Sequence, residues 1–352
     1  MKQKIVIIGL ALAGITACTD LNPAFTEKPS MQTKTDSITD LTFTCVQETR
    51  PPLSPETQQL YLYAYYHDLH NMWLGKKGDD VWKSTERYYR IAAANGDYKA
   101  NVRLQYLIES GRIIVKKPQK TVYELNKALE KQLPATAYYN LYGYLTNGYG
   151  VKTEKGGQFA YLRKAADLGS REAQYELGIL LRQIKDKETL SFRLQLSEQL
   201  FECASKQGMK EASEKLGISF QVDKKYKLSL QAYHQGVKDG SALSARRLMR
   251  PFKSKIDKSN EIDYLALSPD PERAKRYEMI EEYLYDNSYL NPTVPELDEI
   301  VPLPPAKLPA WDGKIAFQRW YEGASPPKPS EELMQKLADQ AGLDVTTGLP
   351  KK

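Results

Sequence analysis

Histidine and cysteine are scarce in this 352-residue chain, three of each, so the chemistry they could carry is soon enumerated. His67-Asp68-Leu69-His70 places two imidazoles three residues apart, on one face of a helix, where both could reach one metal ion. The zinc-protease helix spaces its histidines four apart with a glutamate between, and no third ligand is obvious. His67 and His70 therefore read as histidines satisfied by the tyrosines around them, and neither a metal nor another cofactor is expected. Cys45 and Cys203 could form a disulfide if the chain is exported to an oxidising compartment. That bond would close a long loop, worth up to roughly 5 kcal/mol in the chain-entropy model; spacing does not fix connectivity, and two free thiols are the other reading. The acidic pairs Asp79-Asp80 and Glu281-Glu282 read as solvated helical faces. G-x-S-x-G, G-x4-G-K-[ST], G-x-G-x-x-G, C-x-x-C and the calcium-loop pattern are all missing from the sequence. An enzyme is not expected on this count, although helical scaffolds can carry catalysis, and a carbohydrate-acting or metal-dependent hydrolase stays as a third reading.

The elements that would hold such residues begin with an export signal. Lys2 and Lys4 precede the apolar run Ile5–Ile15, and Thr16-Ala17-Cys18 comes directly after it. A positive end, a short apolar core and small residues at the cut make a secretory signal; crossing a bilayer would need about 20 apolar residues. Ile15-Thr16-Ala17-Cys18 resembles a bacterial lipobox, which implies cleavage before Cys18 and acylation of that residue. Two or three acyl chains anchor stably, whereas one is marginal. Thr19 rather than Asp after the cysteine implies passage to the outer membrane, while Asp20 leaves that sorting open. Removing residues 1–17 takes away two lysines and no acid, leaving 48 basic against 44 acidic residues, a net +4. So weak a field gives no reason to invoke nucleic acid.

One stretch, residues 134–181, organises the rest. Ala137, Leu141 and Leu145 succeed one another at four-residue intervals on one helical face, and Gly148-Tyr149-Gly150-Val151 supplies the positive φ values that reverse a chain. A second helix then sets Phe159, Leu162, Ala165 and Ala166 inward and stops at Gly169. The ladder recurs from Ala100, Ala173 and Ala212, so successive units lie 37, 36 and 39 residues apart. Second helices stop at Gly96, Gly169, Gly208 and Gly240, and Asp97, Ser170 and Ser241 stand ready to cap the next helix. A period of this length means stacked helical hairpins. The run A-x3-L-x6-G-x-G-V and then Y-L-R-K-A-A-x2-G resembles the Sel-one-like repeat, a relative of the tetratricopeptide repeat, over about residues 82–250. Tyr142 stands where that family has Gly, and the unit from Ala173 lacks the G-x-G turn.

The resemblance implies an all-α, right-handed helical-hairpin solenoid of Sel-one-like, tetratricopeptide-like repeats with a Pro-rich C-terminal cap. The expected divisions are a lipoprotein signal peptide (1–17), a tether (18–50) with a brief alternating stretch at 42–46, and an N-terminal helical cap (51–95). The repeat solenoid (96–250), terminal helices (251–290) and the Pro-rich cap (291–352) complete the chain. Trp311, Phe317, Trp320 and Tyr321 are costly to leave wet, which draws the Pro-rich segment along the solenoid; a free tail is the alternative. Ser54-Pro55-Glu56, Asp270-Pro271-Glu272 and Ser330-Glu331-Glu332 mark helix starts.

Stacked hairpins present a long inner surface suited to a protein partner. Tyr138, Tyr139, Tyr142, Tyr175 and Arg182 occupy first-helix positions outside the internal ladder and form the candidate binding face; packing between units is the other reading for each. Lipid-anchored Sel-one-like repeat proteins resemble two groups. One consists of periplasmic immunity proteins that bind and occlude phospholipase-type toxins of type VI secretion. The other consists of envelope scaffolds or regulatory adaptors. The expectation taken is the first: a protein partner, a secreted toxin, met by a chain held to the outer membrane through Cys18 and facing the periplasm.

Overall fold

Capping residues and glycine stops punctuate the chain where the alanine ladder places them. A computed structural model describes residues 41–351; the signal peptide, Cys18 and the tether up to residue 40 lie outside the described residues. Asp97 Oδ1 accepts from Ala100 N at 2.9 Å, Ser170 Oγ from Ala173 N at 3.2 Å, and Ser241 Oγ from Ser244 N at 2.9 Å. Each bond satisfies an amide that the first helical turn leaves without a partner. Ala100, Ala137, Ala173 and Ala212 are all completely buried.

The helices are α1 (Pro55–Asn71), α2 (Asp80–Ala94), α3 (Tyr98–Glu109), α4 (Pro118–Glu130), α5 (Pro134–Asn147), α6 (Gln158–Asp167), α7 (Arg171–Gln183) and α8 (Leu190–Lys206). They continue as α9 (Lys210–Val222), α10 (Tyr226–Lys238), α11 (Ala242–Lys253), α12 (Pro271–Asp286), α13 (Leu297–Ile300), α14 (Ala316–Glu322) and α15 (Glu331–Gln340). No strand occurs among the described residues, so the alternating stretch at 42–46 does not pair as one; a single isolated bridge joins Leu343 to Pro350. Also among the described residues, no helix is long and apolar enough to cross a membrane.

Two compact units share these elements, and the division falls inside α7, within the stretch read from sequence as one solenoid. The first takes the chain to Ala173, Asp186–Arg193 and Ser325 onward; the second takes Gln174–Lys185 and Leu194–Ala324. In the first unit α1 to α6 pack each on the next, and α15 packs on α2. Its core holds Leu60, Trp82, Tyr89, Leu104 and Leu107, all fully buried, and Met334, Leu337 and Ala338 of α15 join them. Asn95 Nδ2 donates to Leu337 O at 2.8 Å, fixing α15 at the end of α2. The expected C-terminal cap therefore divides: its last helix completes the core of the N-terminal hairpin.

Asp68 ties three helices of this unit together. It is completely buried on α1, accepts from Tyr89 Oη of α2, and accepts from Arg103 Nε of α3 at 2.9 Å. Arg103 lies between Tyr65 and Tyr106, 5.2 and 5.0 Å from their ring centroids.

Residues 41–50 form neither helix nor strand but are held to the repeat through Thr42 O, which accepts from Arg163 Nη2 at 3.0 Å, and through Glu48, so the tether is not free as far as residue 50. Leu133, which precedes α5, offers no side-chain cap. Glu48 supplies one from 87 residues away, accepting from Ala135 N at 2.7 Å and from Thr136 N at 3.1 Å. A carboxylate here also suits the positive end of the helix dipole. Glu48 N donates to Gly169 O at 3.3 Å. Gly169 sits at φ +104°, and a Cβ there would lie 2.5 Å from Glu48 N, so only glycine makes this turn and admits the crossing strand of chain.

In the second unit α9 to α12 pack in succession, around Tyr233, Leu248, Phe252 and Tyr277. The Pro-rich segment lies along this core, as expected, with Val294, Leu297 and Val301 fully buried. Its carbonyls are met by two buried arginines of α12: Arg273 Nη2 donates to Ala306 O at 2.8 Å and Arg276 Nη1 to Ile300 O at 2.7 Å. Trp311 packs against the same core, while α14, which carries Phe317, Trp320 and Tyr321, has no fully buried residue. Phe317 packs against that core too, and its ring lies 5.6 Å from Trp320 and 6.2 Å from Tyr321.

Replacing Asp68 with alanine strands the Arg103 guanidinium in the core and leaves the Tyr89 hydroxyl without its acceptor. We expect the stability of the first unit to fall by about 3 kcal/mol or more, read as a lower urea midpoint by fluorescence. Asp80→Ala, at an exposed pair with Lys83, should leave that midpoint where it was.

Candidate partner-binding surface

The five side chains expected to meet a partner have different fates. Tyr138 is only 5% exposed and stacks on Tyr161 at 6.2 Å; it packs α5 against α6 and is withdrawn from the binding face. Tyr139 and Tyr142 are half-buried, their rings 6.0 Å apart, and Tyr142 also meets Phe159 at 6.3 Å. Tyr175, in the second unit, is half-buried with its ring 5.6 Å from Phe201. Arg182 donates through Nε to Ser197 Oγ at 2.7 Å and through Nη2 to Ser219 Oγ at 3.1 Å, over the Phe201 ring. Burial lowers its pKa from the ordinary arginine value. Two of its five N–H groups clamp α7 to α8 and α9, so its first role is packing between units and it leaves the candidate face. Tyr139 and Tyr142 in the first unit and Tyr175 in the second remain.

A cleft of about 280 Å³ opens between α1 and α2, lined by Tyr63 and His67 of α1, Arg87 and Tyr88 of α2, and Lys328 ahead of α15. Tyr63 lies 4.5 Å from His67 and 5.1 Å from Tyr88, centroid to centroid, forming an aromatic wall. Arg87 and Lys328 share one acid, Glu331, at 3.2 and 3.4 Å. Burial, with a lesser push from His70, holds the His67 imidazole below its ordinary value, and burial raises the Tyr63 hydroxyl. Both are thus neutral at pH 7. Two cations against one carboxylate leave a single positive charge beside aromatic surface, which suits an acidic or aromatic side chain of a partner.

His67 and His70 do not converge. His67 Nε2 meets Ser325 Oγ at 3.2 Å, whereas His70 Nδ1 meets Tyr66 O at 2.8 Å. No group of three or more His, Cys, Asp or Glu that could hold a metal ion occurs among the described residues.

Sequence reasoning did not reach the node around His234. This histidine of α10 is 5% exposed; its Nδ1 meets Tyr277 Oη of α12 at 2.9 Å and its Nε2 meets Asp298 Oδ1 of α13 at 2.7 Å. Asp298 also accepts from Lys238 of α10. Burial lowers the imidazole pKa below 6.5, against the opposing pull of Asp298. The cleft was equally hidden, since Arg87 and Glu331 lie 244 residues apart. The one local signal for the node was that His234 stands apart from the other two histidines, both of which belong to α1.

Consecutive hairpins with buried alanine ladders define an all-helical repeat protein whose exposed features suit binding. Residues 244–351 match a domain of unknown function, DUF6396. No curated protein matches the chain. Among solved structures, the chain is similar to immunity protein Pa5087 from Pseudomonas aeruginosa, with 25% identity and a TM-score of 0.51 over 75% of this chain and 95% of that one. Immunity protein PA5088 from the same organism has 22% identity and a TM-score of 0.53, over 75% of this chain and 94% of that one, a likeness of fold alone. A Sel1 repeat protein from Oxalobacter formigenes has 17% identity and a TM-score of 0.44, over 65% of this chain and 86% of that one, too loose to build on.

The His234 node gives the second unit a pH dependence of known sign. With the folded pKa below the unfolded value, the unfolded chain binds the proton first, so stability falls as pH drops below about 6.5 and through the folded value. The thermal midpoint should decline between about pH 7.5 and pH 5, and His234→Gln should flatten that decline; an unchanged slope would remove the node from the account.

Proposed function

We propose that this chain is an immunity protein: it binds a toxic protein and covers the surface that protein needs, performing no chemistry itself. The observation that carries this reading is the likeness to Pa5087, which extends over 95% of that immunity protein at 25% identity. The half-buried tyrosines and the Arg87–Lys328 cleft support it, because amphipathic aromatic and arginine side chains are the usual anchors of protein interfaces. The partner we propose is a phospholipase-type toxin delivered by type VI secretion, met on the periplasmic side of the envelope. Anchoring through an acylated Cys18, with sorting to the outer membrane, would hold the inhibitor where the toxin arrives and raise its effective concentration.

The test is co-expression of a phospholipase-type toxin of type VI secretion, directed to the periplasm. Cells carrying the intact chain should survive, and Tyr139→Ala with Tyr142→Ala should weaken the toxin complex by about thirtyfold, at about 2 kcal/mol for a hot spot. Equal killing with and without the chain ends the immunity reading and leaves the envelope scaffold.

Export and covalent state are proposals of the same kind. Cys45 and Cys203 are each disulfide-bonded, which supports their pairing in an oxidising compartment. Intact mass of protein extracted from envelopes should correspond to a chain beginning at Cys18, heavier by its acyl groups and lighter by two hydrogens that return on reduction. An unacylated mass or a reduced one would each remove the corresponding part.

A further inference from the structure

The α1–α2 loop and the α3–α4 loop of the first unit lie side by side. Gly78 N donates to Arg112 O at 2.8 Å. Lys77 runs over Gly111, where a Cβ would lie 3.6 Å from its Cδ, and Ile114 crowds Gly78. Together the loops carry three large apolar side chains into solvent: Trp73 at 75% exposed, Leu74 at 83% and Ile114 at 71%. Large apolar groups this exposed and this close in the fold mark an interaction surface. Lys76 and Lys77 come just after the first pair, and Lys116 and Lys117 just after Ile114; all four are exposed. On the adjoining helix start, Asp79 is spent capping α2 and Asp80 pairs with Lys83.

We propose that this edge of the first unit is a membrane-contact site, with Trp73, Leu74 and Ile114 inserting at the headgroup level of a bilayer and the four lysines facing anionic lipid. Two features favour a lipid surface over a protein. Lysine is depleted in protein interfaces, whereas a polybasic rim around a tryptophan is what an anionic bilayer surface attracts. The apolar groups also sit on loop tips, which can enter an interface, rather than along a groove that would take a helix or strand. This contact is separate from any acyl anchor and from toxin binding.

The test uses the chain from residue 19 onward, so that neither an acyl group nor the apolar run Ile5–Ile15 contributes, with vesicles of phosphatidylglycerol and phosphatidylethanolamine or of phosphatidylcholine alone. The chain should sediment with the anionic vesicles, weakly with the neutral ones, and less as salt is raised from about 0.1 M to 0.5 M. Trp73 emission should shift to the blue on binding, a change that Trp73→Phe abolishes. Each lysine is expected to contribute about fivefold, so Lys76→Glu with Lys77→Glu should weaken binding by at least about twentyfold. Trp73→Ser with Leu74→Ser should weaken it at unchanged charge. Circular dichroism and the thermal midpoint confirm that these loop variants fold. Binding that ignores lipid charge, or variants that bind like the parent, would overturn the proposal. So would loss of toxin binding in the Trp73–Leu74 variant from a parent that never binds vesicles, which would make the edge a protein interface.

Discussion

Asp68 holds a carboxylate where no water reaches it, and the first unit is arranged around that fact. Desolvating an ionised group costs several kcal/mol unless other groups replace the lost water. Here the replacements come from two later helices: a hydroxyl from Tyr89 and a guanidinium from Arg103. Burial pushes the Asp68 carboxyl upward, and Arg103 and Tyr89 oppose that push. Because donors and acceptor sit on α1, α2 and α3, the pairing can be completed in only one relative placement of the three helices. Alanine ladders tolerate sliding by a turn; a buried ion pair does not. The tyrosines beside Arg103 add cation–π contact and shield it further.

Backbone groups at the turns impose a second constraint. At Gly169 and beside Gly240, backbone carbonyls are left for a segment from elsewhere in the chain. In both units an extended segment supplies partners: Glu48 at Gly169 and at the start of α5, and the Pro-rich segment beside Gly240. There Val294 N donates to Lys238 O at 2.8 Å, and a Cβ on Gly240 would fall within contact distance of Pro292 O. Glycine therefore serves twice at each of these turns, once for its positive φ and once for the space it leaves. Arg273 and Arg276 extend the same logic, turning prolyl-segment carbonyls into acceptors inside the second unit.

Binding features fall where this scaffolding is incomplete. The Arg87–Lys328 cleft exists because α15 returns to α2 and brings Lys328 and Glu331 with it. The exposed edge of Trp73, Leu74 and Ile114 lies on loops that the described residues of the first unit leave open to solvent. Neither feature uses the ladder residues, so partner recognition can vary without disturbing the hairpins. The likeness to immunity proteins of Pseudomonas aeruginosa fits such a division between scaffold and contact surface.

Local sequence settled the hairpins. The ladder from Ala137, the stops at Gly96, Gly169, Gly208 and Gly240, and the caps at Asp97, Ser170 and Ser241 depend on interactions within a few residues, and such interactions leave a readable period. Helix starts at Ser54, Asp270 and Ser330 were legible for the same reason. Only the tertiary structure could decide that Glu48 caps α5, that α15 joins the N-terminal core, or that Arg182 bonds to two serines. The arrival of Lys328 at the α1–α2 cleft and the meeting of His234 with Asp298 likewise join parts of the chain far apart in sequence. Pairing energy in these contacts is set by three-dimensional proximity and the exclusion of water, and neither quantity has a signature along a linear chain.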